Sequence, residues 1–405
     1  MKKNEIIRSY GTGFKEMTIR LLEAAGLYED IIEKTSGKDV SKIHIGIKPN
    51  LVTPSPASFG ATTHPEIAAG IIEYLQENGF CNITIAEGSW VGDKTSDAFE
   101  YCGYNALAAE YGVNIIDTKK DSCIAVDVPG AGPSLCGGAP GARPSPCGEA
   151  AARMYGAGSG SADLKLNVCS CVGSFDYLIN VPVIKGHCQT HMTCALKNMK
   201  GLIPDSEKRR FHRLGLHRPV AFLNTCIHQD FIVIDHICGD PSFEEGGNPL
   251  VRNCIMAAKD PVLADAFACS LLGVDISSVE YIRLAEKLGV GSADLTGLKL
   301  VTLEGDPTED TGYGADPLDV SYAVDEVDSC SACYASLVPS LARLREEGLL
   351  EKLDCRIGIG QGHQGKSGRL GVGKCTAGFD CSIKGCPPDE EEIYNGLKAY
   401  LSRIG

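Results

Sequence analysis

Short apolar runs alternate with helical stretches along the first three quarters of the chain. Residues 42–48 (KIHIGIK) alternate apolar and polar side chains, which predicts a strand. Residues 63–78 predict a helix, because Pro65 stands in the first turn and Gly79 follows the end. Residues 82–86 (NITIA) predict the next strand. This order of strand, helix and strand favours an α/β fold with a mostly parallel sheet flanked by helices.

The same rhythm continues to residue 303. Further strands are predicted at residues 113–116, 177–184, 231–237, 253–258 and 298–303, and helices at residues 193–199, 262–272 and 278–288. Asp260 and Pro261 are typical of a helix N-cap and first turn. Segment 121–171 breaks the rhythm with Gly, Ala, Pro, Ser and Cys, and predicts a long loop, an irregular hairpin such as an active-site flap, or a poorly specified insertion.

The composition changes after residue 305, which divides the predicted α/β domain (residues 1–305) from a tail (residues 328–405). A linker rich in Pro, Gly and Asp, residues 306–327, joins the two parts. Within the tail we predict a helix at 334–347, a strand at 356–359, a Gly-rich loop and a final helix at 389–402. We therefore expect a second, small Cys-rich α/β domain that holds a metal or cluster.

Composition and charge narrow the class of protein. The 405 residues are 43% hydrophobic and 22% charged, which is typical of a globular protein and excludes wholesale disorder. Thirty-eight Lys and Arg against 52 Asp and Glu give a net charge of −14, which disfavours nucleic-acid and acidic-membrane partners. The sequence shows no membrane-length apolar run and no signal-peptide core, so we expect a cytoplasmic protein. Its 19 cysteines then predict reduced thiols and a metal site rather than disulfides.

The cysteines of the tail have the spacing of a metal or cluster site. Cys330 and Cys333 form a CxxC before a helix, and Cys375 and Cys386 lie in a distant Gly-rich region. Four such thiolates can close the shell of an iron–sulfur cluster, and a Cys-Pro of the kind found at Cys386 is common at such clusters. We predict one 4Fe–4S cluster on these four residues, with Cys381 as the substitute for Cys375. Zinc and unligated thiols are the alternatives.

Residues 360–365 (GQGHQG) match the GxGxxG pattern of dinucleotide-binding loops. That fingerprint must open a helix and lead to a second strand with an acidic residue. The sequence after this loop continues through more glycines and predicts neither a helix nor a strand. We therefore expect these glycines to line the cluster rather than to bind a nucleotide.

Polar and charged side chains stand at the predicted strand ends of the larger domain. They are Lys48, Asn50, Glu87, Lys185, His187, Lys197 and Lys200. The carboxyl ends of strands build the ligand crevice of open α/β sheets, and lysines there suit a small anionic substrate. We predict that His187, Lys185 and Lys48 are catalytic, with His187 donating a proton, and that Asn50, Glu87, Lys197 and Lys200 bind substrate. The alternative is that these cations pair with carboxylates of the acidic chain.

Three smaller patterns have structural and functional interpretations. His187 and His191 would share a metal only if the segment were helical, which Gly186 disfavours. Cys169 and Cys171 (CSC) suit a redox pair or, more simply, two buried thiols. Asp265 suits a helix-surface or supporting carboxylate better than a catalytic one.

An ordered series of motifs resembles a known family. The runs are IKPNLV, TTHPEIAAGIIEYL, ITIAEGS, LINVPVIKGH, ALKNMKG and KDPVLADAFACSLLG, and the resemblance covers about residues 38–305. They are similar to the family called domain of unknown function 362, whose activity is generally unestablished. The resemblance implies the α/β fold and an association with iron–sulfur segments. The tail lacks the two-cluster pattern CxxCxxCxxxCP, so one cluster is expected, and the Cys-rich segment 121–171 departs from the family.

The leading functional hypothesis is an iron–sulfur oxidoreductase or electron-transfer enzyme of an oxygen-poor metabolism. Its cluster would pass electrons to, or help to hold, a small anionic substrate at the strand ends, with a redox protein as partner. One alternative is a non-redox isomerase or lyase with a structural or Lewis-acid cluster. The other is a zinc-stabilised binding module.

Overall fold

The computed structural model describes residues 1–128, 165–306, 320–329 and 331–404. The strands are β1 (Glu5–Tyr10), β2 (His44–Pro49), β3 (Asn82–Glu87), β4 (Asn114–Asp117), β5 (Cys123–Asp127), β6 (Lys165–Cys169), β7 (Tyr177–Val181), β8 (Lys185–His187), β9 (His191–Thr193), β10 (Phe231–His236), β11 (Cys254–Ala258), β12 (Lys299–Thr302), β13 (Val324–Glu326), β14 (Ile357–Ile359), β15 (Leu370–Val372) and β16 (Cys381–Ile383). The helices are α1 (Phe14–Ala25), α2 (Leu27–Lys34), α3 (Pro65–Glu77), α4 (Thr95–Tyr101), α5 (Tyr104–Tyr111), α6 (Ala195–Asn198), α7 (Asp205–Arg213), α8 (His217–Cys226), α9 (Pro261–Leu272), α10 (Glu280–Lys287), α11 (Ser331–Glu346) and α12 (Glu390–Ile404).

An eight-stranded sheet with the order β12-β1-β11-β10-β7-β2-β3-β4 forms the centre of the larger part. Strand β11 pairs antiparallel with both β1 and β10, and every other pairing in the sheet is parallel. The predicted mixed α/β fold with a large, mostly parallel sheet is therefore confirmed. Because β10, β7, β2 and β3 are neighbours that run in one direction, their carboxyl ends meet at one edge.

Two apolar cores cover the two faces of this sheet. Successive strand residues alternate between them: Ile232 packs in one core and Val233 in the other. Helices α1 and α3 cover the face that holds Val233, and α9 and α10 cover the opposite face. The Asp260 side chain accepts hydrogen bonds from the backbone amides of Val262 (2.8 Å) and Leu263 (3.0 Å), which confirms the predicted N-cap of α9. Asp265, expected on the helix surface or in a supporting position, is fully buried.

Several elements depart from the sequence-based predictions. Strand β1 and helices α1, α2, α7 and α8 were not predicted. The strand predicted at residues 177–184 ends at Val181, and the next residues form the short hairpin β8–β9. Within segment 121–171, β5 and β6 pair antiparallel, as the hairpin interpretation requires, and residues 129–164 lie outside the described residues.

The tail contains a second sheet, which is parallel throughout, with the order β13-β14-β15-β16. Helices α11 and α12 pack on it through a core that includes Leu337, Leu341 and Leu397. Its first strand, β13, lies inside the predicted linker. Cys188, from the turn between β8 and β9, is buried in the same core and ties the tail to the larger part.

The loop at residues 360–365 opens no helix, as predicted, and contains only a single 3-10 turn, Gln361–His363. The expectation that no strand follows was wrong, because β15 pairs parallel with β14. The three-residue strand (LGV) is too short and too glycine-rich to give a periodic signal. Gly360 and Gly362 pack against Val327 where the loop crosses the end of β13, and Gln364 of the same loop donates to Cys375 Sγ at 3.4 Å.

In the described part of the chain, no helix has both the length and the apolar character needed to cross a membrane.

Candidate functional site

A buried ion pair stands where β2 and β3 end. The Lys48 ammonium lies 2.7 Å from a carboxylate oxygen of Glu87, and both side chains are excluded from solvent. Glu87 also accepts hydrogen bonds from the backbone amides of Leu51 (2.9 Å) and Gly88 (2.7 Å). Burial lowers the pKa of Lys48, and the nearby Glu87 charge opposes that shift. Glu87 is thus the structural partner of Lys48.

A second carboxylate, Glu244, joins two of the predicted residues. His187 Nε2 lies 2.9 Å from Glu244 Oε2, and the Lys197 ammonium donates to Glu244 Oε1. His187 Nδ1 accepts from the backbone amides of Gln189 (3.0 Å) and Thr190 (3.1 Å), so the proton of the neutral ring lies on Nε2, toward Glu244. Burial lowers the pKa of His187 to about 4, which keeps the ring neutral.

The segment from His187 to His191 is not helical, as Gly186 indicated. The two residues are cross-strand partners in the β8–β9 hairpin. The Nδ1 nitrogen of His187 accepts from two backbone amides, and Nε2 lies 2.9 Å from Glu244. His187 therefore faces Glu244 rather than a second histidine.

Five of the seven predicted catalytic and substrate-binding residues line one pocket at this sheet edge: Lys48, Asn50, Glu87, Lys197 and Lys200. Lys185 and His187, predicted to be catalytic, do not line it. Lys185 Nζ donates to the backbone carbonyls of Ala61 (2.6 Å) and Glu244 (2.8 Å) and is fully buried. Strand β7 ends before these two residues. They belong to the β8–β9 hairpin, where both contact Glu244.

The pocket contains charged residues that sequence reasoning missed, namely Lys208, His212 and Glu244. Lys208 and His212 lie on α7, which is short and mostly charged and has Phe211 as its single apolar residue. Glu244 lies in the loop after β10. The basic run KRR at residues 208–210, close behind Lys200, was the available signal for the missing cations.

The lysines of the pocket outnumber its carboxylates. Lys200 Nζ lies 3.3 Å from His212 Nε2, and within the described residues it has no carboxylate partner. Burial, with the neighbouring Lys197 charge, lowers the pKa of Lys200 to about 7. Burial and the Lys200 charge lower the pKa of His212 to about 2, so this ring is a neutral acceptor. The site therefore favours a negatively charged ligand.

Lys208 is held against the pocket residues Gly88 and Ser89. Its ammonium donates to the carbonyls of Gly88 and Ser89, both at 2.9 Å, and burial lowers its pKa to about 8. Gly201 closes the floor of the pocket. A Cβ at Gly201 would lie 1.9 Å from a carboxylate oxygen of Glu87, so this close approach requires glycine.

A cleft adjoins the pocket and is lined by residues of both the larger part and the tail. The two cavities share the wall residues Val52, Trp90 and Glu244. On the tail side, the cleft is lined by Ala335 and Pro387, which neighbour two of the predicted cluster ligands. Gln189 of the β8–β9 turn also donates to Ser329 Oγ at 3.2 Å, directly before Cys330 in the chain.

Three of the predicted ligand cysteines lie on segments that approach one another. A Cβ on Gly373 would lie 3.5 Å from Cys333 Sγ, and the backbone amide of Lys374 donates to the carbonyl of Gly385 at 2.8 Å. Cys375 and Cys386 directly follow the last two residues. Cys330 lies outside the described residues. Within the described residues, no three His, Cys, Asp or Glu side chains are arranged to hold a metal ion.

The register of the tail sheet distinguishes the two candidates for the third ligand. Strands β15 and β16 are parallel, and Cys381 begins β16 opposite Leu370, which begins β15. Cys375 and Cys386 follow the carboxyl ends of β15 and β16. Cys381 therefore lies at the opposite edge of this sheet, which favours Cys375 as the ligand.

The model of one protein family matches residues 45–136 and 157–270, about half of the chain. Its description is domain of unknown function (DUF362). The chain belongs to the DUF362 family. All residues that line the pocket fall inside the two matched segments, and the cysteines of the tail fall outside them.

Two solved structures resemble this DUF362 protein weakly. One is the lactate racemase apoprotein from Thermoanaerobacterium thermosaccharolyticum, with 13% identity and a TM-score of 0.38 over 66% of this chain. The other is a protein from Thermotoga maritima, with 14% identity and a TM-score of 0.38 over 65% of this chain. The matches span 56% and 60% of those two chains. No curated protein matches the chain.

Proposed function

We propose that this DUF362 protein is an iron–sulfur enzyme that binds a small anionic substrate in the pocket at the strand ends. The observation that carries the proposal is the convergence of Lys48, Lys197, Lys200 and Lys208 on one pocket, whose described lining includes two carboxylates, Glu87 and Glu244. Each buried ammonium needs charge or hydrogen-bond compensation. The chain supplies a carboxylate to Lys48, to Lys197 and, through Asp205 at 3.5 Å, to Lys208, and leaves Lys200 with a neutral imidazole.

A carboxylate or phosphate group would complete this charge arrangement. An anion beside Lys200 would meet a partly buried cation, and charge-assisted hydrogen bonds are stronger than neutral ones. The anion would also raise the pKa of Lys200 and hold it protonated at neutral pH.

The residues around the pocket also support proton transfer. Without an anion, the pKa of Lys200 is about 7, so its amine is half protonated near neutral pH and can act as an acid or a base. His212, neutral at that pH, stands within hydrogen-bonding reach of it. Glu244 is held by His187 and Lys185 from behind, and so fixes the position of Lys197. We assign Lys185 and His187 a positioning role.

The cluster of the proposal would be held by Cys330, Cys333, Cys375 and Cys386. The approach of Gly373 to Cys333, and of Lys374 to Gly385, is compatible with a shared centre for these thiols. A bound 4Fe–4S cluster supplies one-electron redox chemistry. Support for a link to the substrate comes from the cleft, which borders both the pocket and the segments carrying Cys333 and Cys386. Zinc on the same thiolates is the alternative metal.

A second candidate function is a non-redox isomerase or lyase with a structural cluster. The Lys200–His212 pair favours it, because both groups suit proton transfer at a bound carboxylate substrate. A redox-inactive centre in the tail would then only stabilise the fold. The two candidates share the anion site and differ in whether the centre changes oxidation state during turnover.

Calorimetric titration with inorganic phosphate and with malonate tests the anion site. We expect saturable binding of at least one anion, weakened about tenfold or more by Lys200→Gln, which removes an ammonium and keeps a polar side chain. Lys120→Gln is the matched control, since Lys120 is exposed on the surface and outside the pocket. No saturable binding of either probe, or equal losses in the two variants, contradicts the proposal.

A further inference from the structure

Two cysteines face each other across the antiparallel pair β5–β6. Cys123 and Cys169 are direct register partners. The next pair along the ladder, Ser122 and Ser170, is hydrogen-bonded, with the Ser170 amide donating to the Ser122 carbonyl at 2.8 Å. Because hydrogen-bonded and non-hydrogen-bonded pairs alternate, Cys123 and Cys169 form a non-hydrogen-bonded pair. Such pairs have Cα atoms about 4.5 Å apart, which lies inside the range that a disulfide spans.

The side chains of this pair are neighbours. The two thiols are close enough for each to influence the pKa of the other. Cys123 is exposed and Cys169 is buried, so one thiol is open to a solution reagent and the other is shielded. Cys169 also donates to the carbonyl of Thr118 at 3.3 Å.

We propose that Cys123 and Cys169 form a reversible cross-strand disulfide, and thus a thiol-modification site of this protein. The oxidant is a low-molecular-weight disulfide of the glutathione type. The Cys123 thiolate attacks it, forms a mixed disulfide and releases one small thiol. The Cys169 thiolate then attacks the Cys123 sulfur and releases the second small thiol. The protein loses two protons and two electrons, and one small disulfide becomes two small thiols.

The alternative partner for Cys169 is Cys171, its neighbour in the CSC motif. Cys171 is buried, and its backbone amide donates a hydrogen bond to the Asp121 carboxylate at 2.7 Å. Cys171 lies in the 3-10 turn Ser170–Ser174 that follows β6, so it is not a register partner of Cys169. Cys123 is the direct cross-strand partner, and it is the solvent-accessible one.

Charges around the pair set the pH at which it reacts. Asp121 and Glu207 face Cys123, and Asp121 and Lys208 face Cys169. Burial is the largest cause that raises the pKa of both thiols, and it brings that of Cys169 to about 12. Since the thiolate is the attacking species, oxidation is slow at neutral pH and accelerates as the pH rises.

The disulfide would also affect the contacts of Gly201, which lines the anion pocket. Bonding to Cys123 withdraws the Cys169 thiol from the Thr118 carbonyl. Thr118 in turn donates through its hydroxyl to the carbonyl of Gly201 at 2.7 Å, and Gly201 lines the pocket. Oxidation therefore acts on the segment that holds Lys200 and Gly201. The modification site itself stands independently of what the pocket binds.

Non-reducing peptide mapping by mass spectrometry tests the proposal. The full-length protein, purified anaerobically, is treated with oxidised glutathione at mildly alkaline pH, and the remaining thiols are alkylated before digestion. We expect one peptide pair joined through Cys123 and Cys169, lighter than the two free peptides by two hydrogen atoms and separated by a reductant.

Single variants distinguish the outcomes. Cys123→Ser, a change at an exposed position, should abolish the linked peptide, and Cys81→Ser, at another exposed cysteine, should retain it. Cys171→Ser should also retain it. A link between Cys169 and Cys171, or a glutathione adduct on Cys123 that never resolves, would overturn the proposal. Complete alkylation of both Cys123 and Cys169 after oxidation would do the same.

Discussion

Lys48 and Glu87 form an ion pair of 2.7 Å with both side chains almost fully excluded from water. Removing one partner leaves the other charge buried without compensation. We expect Lys48→Met to lower the free energy of unfolding by about 3–5 kcal/mol. The double variant Lys48→Met/Glu87→Gln should recover a substantial part of that loss, because it leaves no buried charge. Denaturant unfolding measures both changes.

The matched control for this pair lies on the surface. Lys15 and Glu73 are also joined at 2.9 Å, but about a third of each side chain is exposed. Lys15→Met should therefore cost less than about 1 kcal/mol. Equal losses for Lys15→Met and Lys48→Met would mean that burial does not set the strength of the Lys48–Glu87 pair.

Anion affinity should depend on pH through Lys200. Its pKa of about 7 in the empty pocket means that the ammonium is present below that pH and is lost above it. Phosphate or malonate binding should therefore weaken as the pH rises through about 7, once the ionisation of the probe itself is subtracted. In Lys200→Gln this component of the pH dependence should disappear. An unchanged profile in the variant would assign the titration to another group.

Gly201 provides a steric test of the pocket floor. A methyl group at this position would lie 1.9 Å from Glu87 and 2.6 Å from the Lys48 ammonium, so Gly201→Ala must displace the ion pair. We expect phosphate affinity to fall more than tenfold and stability to fall by about 1–3 kcal/mol. Gly173→Ala is the control, because no atom lies within 4 Å of a Cβ there. Full anion affinity in Gly201→Ala would place the ligand elsewhere.

The parts of the fold that the sequence predicted are those with a strong local signal. Strands β2 and β3 are isoleucine-rich and are followed by helices or loops with clear boundary residues. Helix α9 begins at Asp260 and Pro261, whose side chains determine that boundary directly. Lys48 and Glu87 were placed correctly at strand ends because those strands were placed correctly.

The residues that sequence reasoning missed or misplaced depend on contacts between distant segments. Helix α7 carries Lys208 and His212, and its nine residues are mostly charged, so its burial against the pocket comes from tertiary packing. Glu244 lies in an irregular loop and meets His187 only in the folded chain. Lys185 and His187 were predicted to be catalytic because the preceding apolar run is longer than the strand. In the structure, Lys185 and His187 lie in the β8–β9 hairpin and do not line the pocket.

The ligand assignment in the tail makes its own prediction. Cys375→Ser should lower the metal content of the purified protein strongly, because Cys375 follows the same sheet edge as Cys386. Cys381→Ser is the matched control and should retain the metal, since Cys381 begins its strand at the other edge. Metal analysis of the two variants checks this assignment. Loss of metal in Cys381→Ser alone would make Cys381, and not Cys375, the ligand.

Iron and acid-labile sulfide analysis of the anaerobically purified full-length chain tests the central claim most directly. The account predicts about four iron atoms and an equal amount of sulfide per chain, as a single 4Fe–4S cluster requires. It also predicts a visible absorption band that bleaches on reduction. Stoichiometric zinc without sulfide, or no bound metal at all, would contradict it.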